Sequence, residues 1–169
     1  EAIMSPINDP PAEAVGLDGI EKIVRDESLV NACKDGQDLD ARWNMMMAST
    51  EGAMAFSKGL GAVHSMSHAI GANQELRLHH GTLNGVILPT VIRFNKDHVG
   101  NKLPRILRAM GKSESADLAD EIEKFNEKIN LPSGLKEMGV TEEMIPELVE
   151  HSITDPSNVT TPRLPSPEE

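Results

Sequence analysis

The chain has 169 residues, enough for one domain with a substantial core, and its formal net charge of −11 argues against a nucleic-acid partner. The single cysteine, Cys33, excludes an internal disulfide and a cysteine-based metal centre, and it fits a reducing, cytoplasmic location. No apolar run approaches the roughly 20 residues that a membrane span needs. Few aromatic residues and nine methionines favour helices over sheets. The composition therefore predicts an acidic, all-α protein without nucleic-acid or membrane partners.

The first predicted helix runs from Ala12 to about Ala32, after a turn-rich entry at residues 5–11. Gly16 and Gly19 interrupt its apolar pattern. Because an interior glycine weakens a helix by about 1 kcal/mol, we expect both where another backbone packs closely. The segment Lys34-Asp35-Gly36 ends this helix.

A second helix is predicted from Asp38 or Asp40, either of which can cap it, to about Ser57. Its large apolar residues are expected to fill gaps in the core; they are Trp43, Met46, Met47, Met54 and Phe56. A soft-metal function for the run of three methionines at 45–47 is the less favoured alternative.

The next two predicted helices lie on either side of the His79-His80 pair. One covers 62–72 and is rich in small residues, so neighbouring elements can approach it closely. After a connection at 73–78, the strongly apolar segment 82–94 predicts a buried helix, with Pro89 expected to kink or break it. A buried strand at 86–88 is the competing interpretation.

The remainder predicts shorter elements. These are a helix at 101–110, a helix at 116–130 capped by Ser113 or Ser115, a short helix at 135–140, a helix at 141–151, and an extended, proline-rich tail at 156–169.

Four of the six histidines lie between Lys58 and Asn95. His64 and His68 are four residues apart, so on a helix they share one face, about one turn apart. His79 and His80 follow the connection and precede Gly81, and only one of them should reach a shared site. This arrangement can bring imidazoles from two segments to one point, as a metal site requires.

The residues alone leave the chemistry of this site open. Three neutral imidazoles could hold Zn²⁺ with one open position, and imidazole with carboxylate would equally suit Fe²⁺. The alternative for His64 and His68 is a polar pair satisfied by backbone carbonyls. The sequence G-L-G-A-V-H lacks the third glycine of a phosphate loop, and Ser65 and Ser67 lack the G-x-S-x-G setting of a hydrolase. His98 and His151 are interpreted as solvated.

Two segments together resemble one known family. They are G-L-G-A-V-H-S-M-S-H-A-I-G at 59–71 and H-H-G-T-L-N-G-V-I-L-P-T-V-I-R-F-N at 79–95. They are similar to the pattern G-x-x-H-x-x-x-H-x-x-G, then H-G-x-x-N-x-x-x-x-P and F/Y-N, of the iron-containing (group III) alcohol dehydrogenases. Segments near both ends resemble the family in the same order, so the resemblance covers nearly the whole chain.

The resemblance implies an all-α, metal-binding C-terminal domain of the dehydroquinate synthase-like fold. Residues 1–155 would form this helical metal and substrate domain, and 156–169 the tail. The family's N-terminal α/β domain, which binds NAD or NADP, is absent from the chain, so no residue here is assigned to cofactor binding. The implied activity is hydride transfer between a small alcohol and an aldehyde or ketone, in a homodimer or higher homo-oligomer.

The resemblance also assigns the site residues. The family's metal, usually Fe²⁺ and sometimes Zn²⁺, is held by one Asp and three His, of which two map onto His64 and His80. The match to H-G favours His80 over His79. His68 matches a further histidine implicated in catalysis or proton transfer. The Asp and first His of the family form D-x-x-x-H just before the residues that match Glu1 and Ala2, so the resemblance places both upstream of this chain.

Two alternatives remain from the sequence. One is a free-standing, inactive helical module for metal binding or dimerisation. The other is a relative with the same fold and different chemistry, such as a glycerol dehydrogenase. The spacing H-x-x-x-H followed by H-H-G-T-L-N favours the alcohol dehydrogenases.

Overall fold

The computed structural model describes the whole chain, Glu1–Glu169, and contains eight α-helices and no strand. The predicted all-α class is therefore confirmed. The helices are α1 Pro10–Ile20, α2 Ser28–Lys34, α3 Leu39–Met54, α4 Ala62–Gly71, α5 His80–Asn95, α6 Lys102–Ala109, α7 Leu118–Lys128 and α8 Ile145–Thr154. No helix combines the length and the apolar character that crossing a lipid bilayer requires.

Helix α5 is the central element, because it contributes to both hydrophobic cores. Leu83, Ile87 and Val91 belong to one core, which also contains residues of α4. Ile92 belongs to the other core, which joins the N-terminal segment to α6 and α7. Leu83 is fully buried. His80 is the first residue of this helix. Because α5 packs against both cores, the position of His80 in the fold is fixed.

Helix α5 is continuous across Pro89, where a kink or break was predicted. Proline has no amide hydrogen, so the carbonyl of Gly85, four residues earlier, loses its usual helical donor. The side chain of Asn126 on α7 replaces that donor, with Nδ2 donating to the Gly85 oxygen at 2.8 Å. The substitute hydrogen bond explains how the helix tolerates a buried proline, and the strand alternative at 86–88 is wrong.

The long first helix predicted for 12–32 is divided in two. A π-helical turn at Glu21–Arg25 follows α1, and Glu27 then adopts a left-handed conformation with φ of 53°. A helix cannot continue through that conformation, so α2 starts at Ser28. The expected close approach of another backbone is confirmed at Gly19, where an added Cβ would lie 3.4 Å from the carbonyl oxygen of Ala48. At Gly16 the close neighbour is a side chain instead, with the Cβ of Ala55 at 3.2 Å.

The prediction that the large apolar residues of α3 fill the core is wrong for most of them. Trp43 is 63% exposed and Met46 is 67% exposed, and Met54 and Phe56 also lie at the surface. The inward positions are instead held by small side chains, among them Ala41 and Ala48 of α3 and Ala55 directly after it. Small residues on this face let α1 and α3 approach closely, and the larger side chains therefore point outward.

The N-terminal segment is fixed against the helices by two lysines, one of them buried. Lys58 is fully buried; its ammonium donates to the Ile7 carbonyl and lies 3.4 Å from a Glu13 carboxylate oxygen. Lys102 donates to the carbonyl of Ser5. These contacts hold the segment before α1 and so place Glu1 beside the start of α4.

The second half of the chain differs from prediction at three points. Asp117, rather than either serine, caps α7 by accepting from the Asp120 amide at 3.1 Å. The predicted helix at 135–140 is a turn, closed by the Val140 amide on the Leu135 carbonyl at 3.1 Å. Residues Pro156–Thr160 form a 3₁₀ helix, not an extended segment, and Asn158 is buried with a hydrogen bond to Ser65 of α4.

The hydrogen bond that compensates for Pro89 gives a stability prediction. Asn126→Ala should lower the free energy of unfolding by about 1–3 kcal/mol, because a partly buried carbonyl loses its donor. In a Pro89→Ala background an alanine amide can serve the same carbonyl, so the loss should be smaller by about 1 kcal/mol. Urea unfolding of the four proteins measures both values.

The matched control is Glu127→Ala, an exposed neighbour on α7. It should change the free energy of unfolding little and equally in both backgrounds. An equal loss for Asn126→Ala with and without Pro89 would contradict the compensation.

Candidate active site

Three of the predicted site residues come together at one end of the fold. His64 and His68 lie one turn apart on α4, and His80 is the first residue of α5. The ring centroid of His64 lies 5.3 Å from that of His80 and 5.9 Å from that of His68. The rings of His68 and His80 are stacked, with centroids 5.4 Å apart and planes inclined by 14°.

Small residues allow α4 and α5 to approach closely enough for this contact. The buried side chains of α4 include Ala62, Ser65, Ser67 and Ala69. A Cβ added at Gly71 would lie 3.7 Å from Leu83 of α5, in ordinary contact. The expectation that neighbouring elements approach this segment closely is therefore confirmed.

His79 does not join the cluster. It is the N-cap of α5, with its Nδ1 accepting from the amide of Thr82 at 3.3 Å. Its ring lines a largely apolar cavity of about 470 Å³ beside the start of α5. Of the two neighbouring histidines, only His80 faces His64 and His68.

Each of the three imidazoles has a partner for its Nδ1 atom. Oε2 of Glu1 lies 2.5 Å from Nδ1 of His64, and Oδ2 of Asp155 lies 3.0 Å from Nδ1 of His68. Nδ1 of His80 lies 3.4 Å from Oγ of Ser67, whose hydroxyl donates to the His64 carbonyl at 3.1 Å. Because a carboxylate only accepts and this hydroxyl has already donated, Nδ1 carries the hydrogen in each neutral ring.

The Nε2 atoms of His64 and His80 converge on one group. The Nδ2 atom of Asn84 lies 3.4 Å from the first and 3.1 Å from the second. An amide NH₂ can donate to both, since each Nε2 holds a lone pair when its ring is protonated at Nδ1. The Oδ1 atom of Asn84 is buried and has no partner. Two imidazole lone pairs and one unpaired amide oxygen therefore meet in a small space.

These donors fit a divalent metal ion, but only as part of its ligand set. Neutral imidazole nitrogen suits both Zn²⁺ and Fe²⁺. No group of three or more His, Cys, Asp or Glu side chains in the chain is arranged to hold a metal ion. Three imidazoles around one metal are therefore not formed here. The chain presents two converging imidazole nitrogens, those of His64 and His80.

Glu1 also defines the start of α4. Its Oε1 accepts from the Val63 amide at 2.7 Å, and its Oε2 is 3.4 Å from the His64 amide. A carboxylate at a helix N-terminus satisfies free amides and interacts favourably with the helix dipole. The ring of Phe56 meets the His64 ring edge-on, with centroids 5.9 Å apart.

Burial and charge shape the protonation of the site. Burial lowers the pKa of His80, and the neighbouring imidazoles of His64, His68 and His79 lower it further. Burial alone would raise the pKa of Asp155, but hydrogen bonds from Ser157 and His68 outweigh it, so this pKa lies below its ordinary value. The site therefore favours a neutral His80 and an ionised Asp155.

Several site residues escaped the sequence analysis. Asn84 lies four residues after His80, so helical spacing alone could have placed it on the same face. Glu1 and Asp155 are 63 and 87 positions away from their histidine partners. No local sequence pattern could therefore predict these two contacts. Ser65 and Ser67 are buried and hydrogen-bonded within the fold, and His98 and His151 are exposed and outside the cluster.

Comparison with known proteins decides the family. A model of the Fe-containing alcohol dehydrogenase family, C-terminal part, matches residues 1–169. The chain belongs to this family. It is 42% identical over 170 residues to 4-hydroxybutyrate dehydrogenase of Cupriavidus necator, covering 96% of this chain and 44% of that protein. It is 32% identical over 173 residues to NAD-dependent methanol dehydrogenase of Bacillus methanolicus, covering 97% of this chain and 44% of that protein.

Solved structures of the iron-containing alcohol dehydrogenases share the fold. The crystal structure of a 1,3-propanediol oxidoreductase superposes with a TM-score of 0.91 at 30% sequence identity, covering 99% of this chain and 45% of that chain. The chain thus spans less than half the length of these family members. The resemblance inferred from the histidine segments is confirmed, together with the helical C-terminal fold.

The lowered pKa of His80 predicts how stability depends on pH. Below the ordinary histidine pKa of about 6.5, the unfolded chain takes up a proton that folded His80 resists, so the free energy of unfolding falls as the pH drops from 7 towards 5. In His80→Gln the free energy of unfolding should fall less between pH 7 and pH 5.

Urea unfolding at several pH values measures this difference, with the exposed His98→Gln as control. Equal pH profiles for wild type and His80→Gln would contradict the prediction.

Proposed function

We propose that this chain supplies the metal- and substrate-binding half of an alcohol dehydrogenase that transfers hydride between a small alcohol and NAD or NADP. In this proposal the chain is part of a longer protein whose second half, an α/β domain, binds most of the nicotinamide cofactor. The helical half, which is the chain described here, is then inactive without the α/β domain.

One observation carries the proposal: the lone pairs of His64 and His80 converge on the same amide group of Asn84. Histidines that merely satisfied backbone carbonyls would not need this convergence. The Nδ1 contacts with Glu1 and Ser67 favour the tautomer in which Nε2 is the free ligand atom. A ligating histidine typically donates its other nitrogen to an acceptor in this way.

His64 and His80 are therefore the metal ligands that we assign to this chain, with Fe²⁺ as the metal and Zn²⁺ as the alternative. The remaining ligands, one Asp and one His, would come from outside the chain. A bound divalent cation would polarise the alcohol or carbonyl oxygen of the substrate as a Lewis acid. The protein's contribution is to hold both nitrogens in place before the metal arrives.

His68 is the residue we assign to proton transfer. Its side chain is 43% exposed, its ring stacks on that of His80, and its Nδ1 faces Asp155. The free Nε2 atom can therefore accept the hydroxyl proton of a substrate held beside the cluster, or return it in the reverse direction. Histidine suits this role because its intrinsic pKa lies near neutrality.

The names of the relatives support the reaction class. They are dehydrogenases of a hydroxy acid and of methanol, and one of them is described as NAD-dependent. Both act on a hydroxyl group of a small molecule. We extend only that common chemistry to the longer protein, with NAD or NADP as hydride carrier.

The assignment predicts separate effects for the three histidines in the full-length protein. His64→Ala and His80→Ala should each abolish retention of the metal, because half of the nitrogen ligands from this chain is lost. His68→Ala should retain the metal while kcat falls roughly 10²-fold or more, because general acid–base assistance is removed. Metal analysis of purified protein and alcohol-dependent reduction of NAD(P) measure the two effects.

Two histidine variants outside the cluster serve as controls. His79→Ala and the exposed His98→Ala should keep metal and leave the metal-to-protein ratio at the wild-type value. Full metal occupancy in both His64→Ala and His80→Ala would overturn the assignment of the ligands.

A further inference from the structure

Asp155 connects the imidazole cluster to a distant part of the chain. It lies between the end of α8 and the 3₁₀ helix Pro156–Thr160, for which it is the N-cap. One carboxylate oxygen, Oδ1, accepts from the Ser157 amide at 2.7 Å. The other, Oδ2, lies 3.0 Å from Nδ1 of His68. Oδ1 therefore holds the carboxylate in place, and Oδ2 faces the imidazole of His68.

The position of this carboxylate relative to α4 is set by buried hydrogen bonds. Asn158 is 5% exposed, and its Nδ2 donates to the Ser152 carbonyl at 2.6 Å. Its Oδ1 accepts from the hydroxyl of Ser65 at 3.1 Å. Ser65 lies on α4, three residues before His68. The same short segment thus carries both the anchor to α4 and the carboxylate that meets the ring.

The carboxylate determines which nitrogen of His68 carries hydrogen. A carboxylate at Nδ1 can only accept, so the neutral ring is protonated at Nδ1 and holds its lone pair on Nε2. Nε2 has no hydrogen-bond partner within the chain. If Nδ1 faced a donor instead, the hydrogen would shift to Nε2 and the free nitrogen could no longer accept a proton.

We propose that Asp155 is a positioning residue that orients His68 and holds it in the tautomer with a free Nε2. The inference rests on the proposed function, in which His68 moves the hydroxyl proton of the substrate. Asp155 acts through His68 and contacts neither the substrate nor the metal.

The decisive variant is Asp155→Asn. Asparagine keeps an oxygen that can accept from the Ser157 amide, so the cap of the 3₁₀ helix is retained. Its NH₂ group takes the place of Oδ2 and donates to Nδ1 of His68, which moves the ring hydrogen to Nε2. The matched control is Asp38→Asn, which makes the same exchange at the N-cap of α3, where Asp38 accepts from the Ala41 amide at 2.9 Å and meets no histidine.

The first readout is the tautomer of His68, which requires no turnover. Long-range ¹H–¹⁵N correlation spectra of the histidine-labelled, metal-free 169-residue chain at alkaline pH distinguish a hydrogen on Nδ1 from one on Nε2. Wild type and Asp38→Asn should show it on Nδ1, and Asp155→Asn on Nε2. A wild-type ring protonated at Nε2 would overturn the proposal without any variant.

The second readout is catalysis by the full-length protein. Asp155→Asn should keep its metal and a nearly unchanged KM while kcat falls by roughly 10²-fold, since the base is lost but binding is not. Asp155→Glu restores a carboxylate and should recover part of kcat together with the Nδ1 tautomer. A kcat for Asp155→Asn equal to that of Asp38→Asn, or no recovery with Asp155→Glu, would refute the positioning role.

The two readouts separate this inference from the function on which it rests. If wild-type full-length protein reduced no NAD(P) with any small alcohol, the proposed function would fail, and the tautomer spectra would still decide whether Asp155 controls His68. If the enzyme were active but the tautomer did not depend on residue 155, only the positioning role would fail.

Discussion

The geometry of the histidine cluster depends on the close approach of α4 to α5. Buried small residues on α4 permit that approach, and Leu83 and Ile87 of α5 hold it through the core beneath. Packed interiors resist displacement, because even a change of one methylene group is felt by its neighbours. The two helices can therefore present imidazoles at a fixed separation before any ligand binds, which lowers the cost of ordering the site when one does.

Packing places the rings, and hydrogen bonds at Nδ1 orient them. Two of the three partners are carboxylates contributed by opposite ends of the chain, Glu1 and Asp155. Buried contacts of Lys58 and Asn158 anchor the segments on which these carboxylates lie. The contacts that stabilise these two segments thus also determine which nitrogen of His64 and of His68 carries the hydrogen. A cluster with the same ring positions but other partners at Nδ1 would offer different nitrogens to a ligand.

The sequence allowed prediction of the helices that carry the site, because their signals are local. Histidines four residues apart, small residues on one face and the apolar segment before Asn95 all depend on helical spacing. The continuity of α5 across Pro89 and the roles of Glu1 and Asp155 were not predictable, because their causes are contacts between residues far apart in the chain. The exposure of the large apolar residues on α3 was equally unpredictable, since close helix packing there selected alanine for the inward positions and left Trp43 exposed.

In the mechanism that we propose, His64 and His80 hold one metal ion through their Nε2 atoms. The most direct measurement is a crystal structure of the metal-loaded full-length protein, with anomalous diffraction recorded at the iron and zinc absorption edges. We expect one anomalous peak at about 2.0–2.1 Å from both Nε2 atoms, with the amide of Asn84 no longer bridging them. A peak bound through His79, or none beside α4 and α5 in protein that contains metal, would contradict it.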